Sequence, residues 1–457
     1  MAVGTAFTID PDWAWERFTP TDDQPWGHSL ASHLLRRGGF APTAQQLEQA
    51  VKSGFESTLD GLTDVENTSQ DYLDEIRTLT RAALASGSNK QLAAGWVYRM
   101  LTTPHPLLEK MTLFWHGHFA TSATKVDDAE LMLQQNELLR QHALGDFHVL
   151  LLEISRDPAM LIYLDSVTNR KSHPNENYAR EIMELFSLGE GNYSETDIRE
   201  LARCFTGWEI KRKRFRFNRF QHDTGKKTVL GKSGSFGGED AVRIVSEQSS
   251  APMFLCEKLV RFFVADDLKC TPELLQPLAD RMQADDLQIA PTVKRILGSN
   301  LFFSESARAR KVRSPVEFAI DLLRSLEGTT DTYMVAEAIS DLGQGLYHPP
   351  SVKGWDGGRA WINSSTLLGR SNFVRRLVDH PKTRFGKQSL REYLDDRGVA
   401  TIDDLLAFVQ PILFAVPLND SVRNQIESIR LNSLDRSANG FEDAIHLLCS
   451  LPEFQLS

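Results

Sequence analysis

SETDIRELARCFTG, residues 194–207, reads as one helix with both of its ends written into it. Ser194 is an N-cap residue, and Asp197 stands three positions on, where a carboxylate reaches back to the cap backbone. Ile198, Leu201, Ala202 and Phe205 then recur on one face, and Gly207 supplies the stop. The same grammar continues in both directions. Asp157-Pro158 and Ala251-Pro252 place proline where a first helical turn tolerates it, ahead of MLIYL and MFLCEKLVRFFV. Apolar periods close to 3.6 also mark residues 41–59, 70–84, 127–142, 272–283, 291–297, 315–326 and 402–414. The chain is therefore expected to be mainly α, a large irregular helical body. No repeat of fixed period and no Gly/Ser or Pro-rich linker divides it, so residues 26–457 read as a single domain behind an N-terminal extension, 1–25.

One segment, about 211–238, breaks the helical pattern. Phe215 and Phe217 alternate with Arg214 and Arg216, the period of a strand with one aromatic and one cationic face. Asp223-Thr224-Gly225 then supplies turn chemistry before Lys226 to Leu230 returns, so one small inserted β-hairpin is expected. Nine Lys or Arg lie between Lys211 and Lys232, with Asp223 the single acid, in a chain of net charge -10. Lys226, with Arg214 and Arg216, reads as a cradle for a phosphate, a sulfate or an acidic polymer; the alternative is a solvated strand face. At a turn His222 and Asp223 can converge on one ligand, with His222 as acid, base or metal ligand. The other reading is an Asx turn at Asp223 that His222 caps.

Composition narrows the class. With 457 residues, 41% hydrophobic and 25% charged, the chain has material for a large core, and its acidity argues against a general nucleic-acid binder. Cys204, Cys256, Cys270 and Cys449 show no paired short spacing, which suggests neither a disulfide framework nor a zinc knuckle. No apolar run reaches membrane-spanning length, and the opening MAVGTAFTIDPDWAWERF lacks the pattern of an export leader. A cytoplasmic location is expected.

Three further strings crowd polar chemistry against apolar runs. In FWHGHF, 114–119, helical spacing from Pro106 sets His116 and His118 about 200° apart around the axis, so they cannot share one metal. If Gly117 ends the helix, His118 leaves in a loop and one ring enters a site, as a metal ligand for example; otherwise both are satisfied buried histidines. In HPNENYAREIMELF, 173–186, a helical wheel sets Tyr178, Ala179, Ile182, Met183, Leu185 and Phe186 against Asn177, Arg180, Glu181 and Glu184. Glu181 and Glu184 read as an acid/base pair or as ligands of a divalent metal, oriented by Asn177 and Arg180, or as the polar face of a surface helix. GQGLYHPPSVKGWDGGRAWINSSTLLG, 343–369, reads as a long ordered loop pinned by Trp355 and Trp361, with Lys353 and Arg359 facing a cleft, or as an aromatic plug.

Together FWHGHFATS, HPNENYAREIMELFSLGEGNYSETDIRELARCFTGW, HDTGKKTVLG with FGGED, KVRSPVEF, GQGLYHPPSVKGWDGGRAWIN and LPEFQL resemble the bacterial family known as domain of unknown function 1800, from about Trp26 to the C-terminus. The resemblance implies a partner, because such proteins are similar to those often encoded beside members of domain of unknown function 1501. Those look like relatives of sulfatases or phosphatases that carry an export signal, which implies export of this chain together with a signal-bearing partner. The chain departs from many members in lacking a leader and in its basic KRKRFRFNRF segment.

Two function classes follow. One is a hydrolase or group-transfer enzyme acting on a phosphorylated, sulfated or glycan substrate, with His222, Asp223, Glu181 and Glu184 as its chemistry. Lys226, Arg180, Asn177, Arg214, Arg216, Lys353, Trp355 and Trp361 then hold an anionic small molecule or acidic glycan, and His118 or His116 meets a divalent metal. The other is a non-catalytic accessory or maturation partner of a sulfatase- or phosphatase-like protein. Approach of a His222 or Asp223 side chain to within about 10 Å of Glu181, Glu184 or His118 separates the two, since acid/base and metal chemistry need direct or one-water reach in the working state.

Overall fold

The computed structural model describes residues 9–65, 68–418 and 440–457. The fold is mainly α, and among the described residues the strands form three small two-stranded antiparallel sheets. The helix Glu195–Cys204 carries the expected capping box: Ser194 Oγ accepts from Asp197 N, and the Asp197 carboxylate accepts from Ser194 N. Boxes of the same kind open Ala44–Ser53, Pro315–Ser325, Ser364–Asp379 and Ile402–Leu413. The periodic run 41–59 is two helices, Ala44–Ser53 and Phe55–Thr63, because Gly54 between them takes φ +83°.

Two apolar cores meet along the helix Pro106–His118, which gives Met111 and Trp115 to one and Leu113 to the other. Trp26, Leu35 and Tyr163 pack against both. The described part of the N-terminal extension is docked as well. Trp15 Nε1 donates to Leu274 O at 2.6 Å and Phe18 packs on Phe303, while residues 1–8 lie outside the described residues.

Buried arginines join these parts by closing helix C-termini, where unpaired carbonyls and the helix dipole favour a cation. Arg36 and Arg313 donate to Ile412 O and Leu413 O at the end of Ile402–Leu413, and Arg37 donates to Phe263 O and Val264 O after Ser250–Phe263. Arg324 does the same for Asn89–Thr102 through Met100 O and Leu101 O. Between the cores, Lys110 on Pro106–His118 forms a buried ion pair with Glu317 on Pro315–Ser325. Among the described residues no helix is long and apolar enough to cross a membrane.

The expected single hairpin is two. Trp208–Lys211 pairs with Arg214–Phe217 through Arg212-Lys213, and Lys227–Val229 pairs with Lys232–Gly234 through Leu230-Gly231. All four turn residues have positive φ, the geometry of a two-residue turn whose twist matches its strands. The alternation at Arg214–Phe217 does mark a strand, but its partner lies upstream, and Asp223-Thr224-Gly225 falls in the connection between the hairpins. The third sheet pairs Gly328–Thr329 with Arg384–Phe385.

Candidate functional site

In the basic segment the chemistry-bearing side chains are engaged in holding the loop. Asp223 accepts from Arg203 Nε at 2.7 Å and Nη2 at 3.3 Å, and its Oδ1 accepts from Gly225 N at 2.8 Å, an Asx turn. The Arg203 bond holds the Asp223 carboxyl below its ordinary range. His222 Nδ1 lies 2.9 Å from Thr206 O, and Asp223 N donates to Thr206 Oγ1 at 2.8 Å. Lys226 is exposed, whereas its neighbour Lys227 is buried and donates to the carbonyls of Asp223, Gly225 and Phe236. Glu200 and Asp197 accept from Thr228 N and Leu230 N, fastening the second hairpin to Glu195–Cys204. Among the described residues three of this segment's nine cations are in ion pairs: Lys213 with Asp128 and Glu130, Arg216 with Glu209, and Lys232 with Glu247. Arg214 is exposed on its strand.

The acidic helix departs from the 3.6 wheel. Asn177–Glu181 is α-helical, but Ile182–Ser187 widens into a π-helix, with Leu188 N donating to Met183 O at 2.9 Å. Glu184 accepts from Tyr193 Oη at 2.8 Å and Arg180 pairs bidentately with Glu195. Glu181 is half-buried, and burial together with Glu184 raises its pKa against the pull of Arg180. Asn177 is exposed; the asparagine that ties this segment down is Asn175, which bonds Asn169, Asp165 O and Thr168. Among the described residues no hydrogen bond or ion pair links His222 or Asp223 to Glu181, Glu184 or His118. Nor does any group of three or more His, Cys, Asp or Glu there form a constellation that could hold a metal.

The structure brings other residues together in a cleft of about 640 Å³. Its walls come from the end of Pro106–His118, from Ser250–Phe263, from residues 309–317 and from the Gly-Trp loop, with Leu185 of the π-helix at one side. His118, Lys353, Trp355 and Trp361 line it, as do Arg359 and the sequence-unmarked Lys258, Arg261, Asp266 and Lys311. Glycine makes the assembly possible. Gly354, at φ +80°, lies so close to the helix end that a Cβ there would stand 2.1 Å from Gly117 O, and Trp355 packs over Gly117. The FWHGHF and KGWDGG strings are thus two sides of one backbone contact.

The helix does not end at Gly117; it runs through His118, and both histidines are buried. His116 Nε2 accepts from Tyr347 N at 3.1 Å, so this ring braces the loop from behind. His118 Nε2 faces Phe186 O at 3.0 Å and therefore carries the ring proton. Burial pushes each ring down to about 3, with the charge of Lys258 adding to the effect on His118, so both stay neutral at ordinary pH.

Most charges on the cleft wall have partners. Lys311 pairs with Asp266 at 2.8 Å, Arg261 with Glu257 at 3.0 Å, Lys353 with Asp356 and Arg359 with Asp267, each of the last two at 3.7 Å. Lys258 has no ion pair or hydrogen bond among the described residues. Its Nζ lies 5.2 Å from the Phe254 ring centroid. Burial lowers its pKa, Lys353 and Arg261 lower it further, and Glu257 opposes them.

A family model described as Protein of unknown function (DUF1800) matches residues 33–456. The chain belongs to the DUF1800 family. No curated protein and no solved structure matches it. In this DUF1800 chain the strings that carry the resemblance fall into two groups. FWHGHF, KVRSPVEF, the Gly-Trp loop and the terminal LPEFQL supply cleft residues, while SETDIRELARCFTGW, HDTGKKTVLG and FGGED build the hairpin platform. Lys258 escaped the sequence reading because it stands inside an apolar helical run. The available signal was its position four residues from both Phe254 and Phe262, a lone cation on an aromatic stripe.

Proposed function

We propose that the cleft binds an anionic ligand, a phosphorylated, sulfated or acidic-glycan compound, and that hydrolysis or group transfer on that ligand is the chemistry it serves. The observation that carries this reading is Lys258, a half-buried ammonium with no ion pair among the described residues, lining a hollow in which Lys311, Arg261, Lys353 and Arg359 each pair with a carboxylate. A bare cation in such a position is stabilised by an incoming anion. Trp355 and Trp361 offer apolar faces for the remainder of the ligand, and neutral His118 offers an acceptor. His222, Asp223, Glu181 and Glu184 carry less of the reading, since each of the first two is committed to Thr206 or Arg203 and Glu184 to Tyr193. Titration of the protein with inorganic phosphate, sulfate and glucose 6-phosphate by calorimetry tests it. Lys258→Ala is expected to weaken whichever of these binds by roughly tenfold or more. Unchanged affinity for every ligand that binds the wild type removes the cleft from consideration.

The accessory reading has its own support on the hairpin face. Phe217 and Phe220 are 49% and 69% exposed, and Arg219, which lies over the Phe220 ring, has no ion pair among the described residues. Large exposed aromatics flanked by cations suit the docking of an acidic partner, such as a domain of unknown function 1501 protein. Co-purification with that protein, abolished by Phe217→Ser with Phe220→Ser and retained by Lys258→Ala, is the expected pattern; loss in neither variant excludes the face.

A further inference from the structure

The partnerless state of Lys258 has a second chemical meaning. An amine that is half-buried and unpaired is a nucleophile as well as a charge, provided it can shed its proton. Resting on the cleft reading above, we propose that Lys258 forms an imine with an aldehyde or ketone that carries a phosphate or carboxylate group. The geometry provides for each part of such a substrate. Lys258 opens into the cleft, Arg261 and Lys353 flank it to hold the anionic group, and Phe262 and Trp355 give the carbonyl end an apolar wall. Neither Arg261 nor Lys353 is spent by its own salt bridge, because Glu257, Asp356 and both cations remain in contact with water.

The step balances without an oxidant. The neutral amine donates its lone pair to the carbonyl carbon while the C=O π pair moves to oxygen. Nitrogen gives up a proton and oxygen gains one, forming a carbinolamine, and water then leaves as the C=N bond closes. Burial and the two neighbouring cations favour the neutral amine that begins this sequence. Lys226 is the internal control, since it is exposed.

The experiment is borohydride trapping on the intact chain with pyruvate in one arm and glyceraldehyde 3-phosphate in the other, followed by peptide mass mapping. Saturable labelling of Lys258 is expected, well above that of exposed Lys226. Excess sulfate should suppress it, and Lys258→Arg, which keeps the charge, should eliminate it. Labelling spread without saturation over exposed lysines overturns the inference. If sulfate or phosphate binding still depends on Lys258 in that case, the anion-binding reading stands while imine chemistry falls; if neither ligand binding nor labelling involves Lys258, both fall.

Discussion

Lys226 and Lys227 are adjacent, and only one of them is part of the fold. Lys227→Met leaves three carbonyls without their donor inside the hairpin connection, and urea unfolding is expected to show a loss of about 2–4 kcal/mol. Lys226→Ala should fall within about 0.5 kcal/mol of the wild type, as surface substitutions do. Equal effects would mean that the carbonyl cage contributes nothing. The pair also shows what can be read at single residues. The sequence marked a basic segment with Asx-turn chemistry, and the Asx turn at Asp223 is present. Which lysine turns inward depends on the pairing register, and that depends on the turn at Leu230-Gly231, where a leucine adopts positive φ against its own preference. Lys258 was missed for the converse reason: a cation in an apolar helix is legible only once the loop across the cleft is in place.

At the scale of elements, capping boxes and prolines made the helices readable, because those signals act within four residues. The π-helix Ile182–Ser187 was not readable, since its extra-wide turn is fixed by what packs around it, including the bond from His118 to Phe186 O. The Gly-Trp loop was legible as a long ordered segment, either a cleft wall or an aromatic plug, although its contact with Gly117 was not. That contact gives a graded prediction. Gly354→Ala needs both a positive φ and space that Gly117 O occupies, so a loss of roughly 2–4 kcal/mol is expected, along with loss of anion binding. Gly357→Ala, at φ 74° and ψ -171° with open space around its Cβ, meets only the backbone cost, so about 1–3 kcal/mol and less than for Gly354→Ala is expected. Thermal unfolding compares them, and identical shifts would show that backbone strain alone governs the loop.

For the whole molecule, mainly helical character followed from periodicity, but the way the two cores join did not, because it relies on charges buried far from their sequence neighbours. The Lys110–Glu317 pair is one such joint. Burial by itself would raise the Glu317 pKa, yet Lys110 and Lys311 outweigh it and hold the carboxyl well below its ordinary value. A folded-state pKa below the unfolded one stabilises the protein at pH above about 4.5, and the contribution disappears as pH falls through the folded value. Glu317→Gln is expected to lower stability by about 3–5 kcal/mol at pH 7 through the stranded Lys110 ammonium, with a smaller difference from the wild type at pH 3. A difference that stays constant between those pH values, measured by urea unfolding, would show that the pair is electrostatically silent.

The arginines that close helix ends impose an order on biosynthesis. Arg36 waits for Ile412, 376 residues away, and Arg37 waits for Phe263 and Ala307. Until the segment bearing Ile412 has left the ribosome, the first long helix must keep a guanidinium in water on the side that will later be interior, so it cannot settle into its final packing. The second core, which holds Ile412 and Leu413, is thereby the last to close, although the buried residues of the first all lie at or before Ala307.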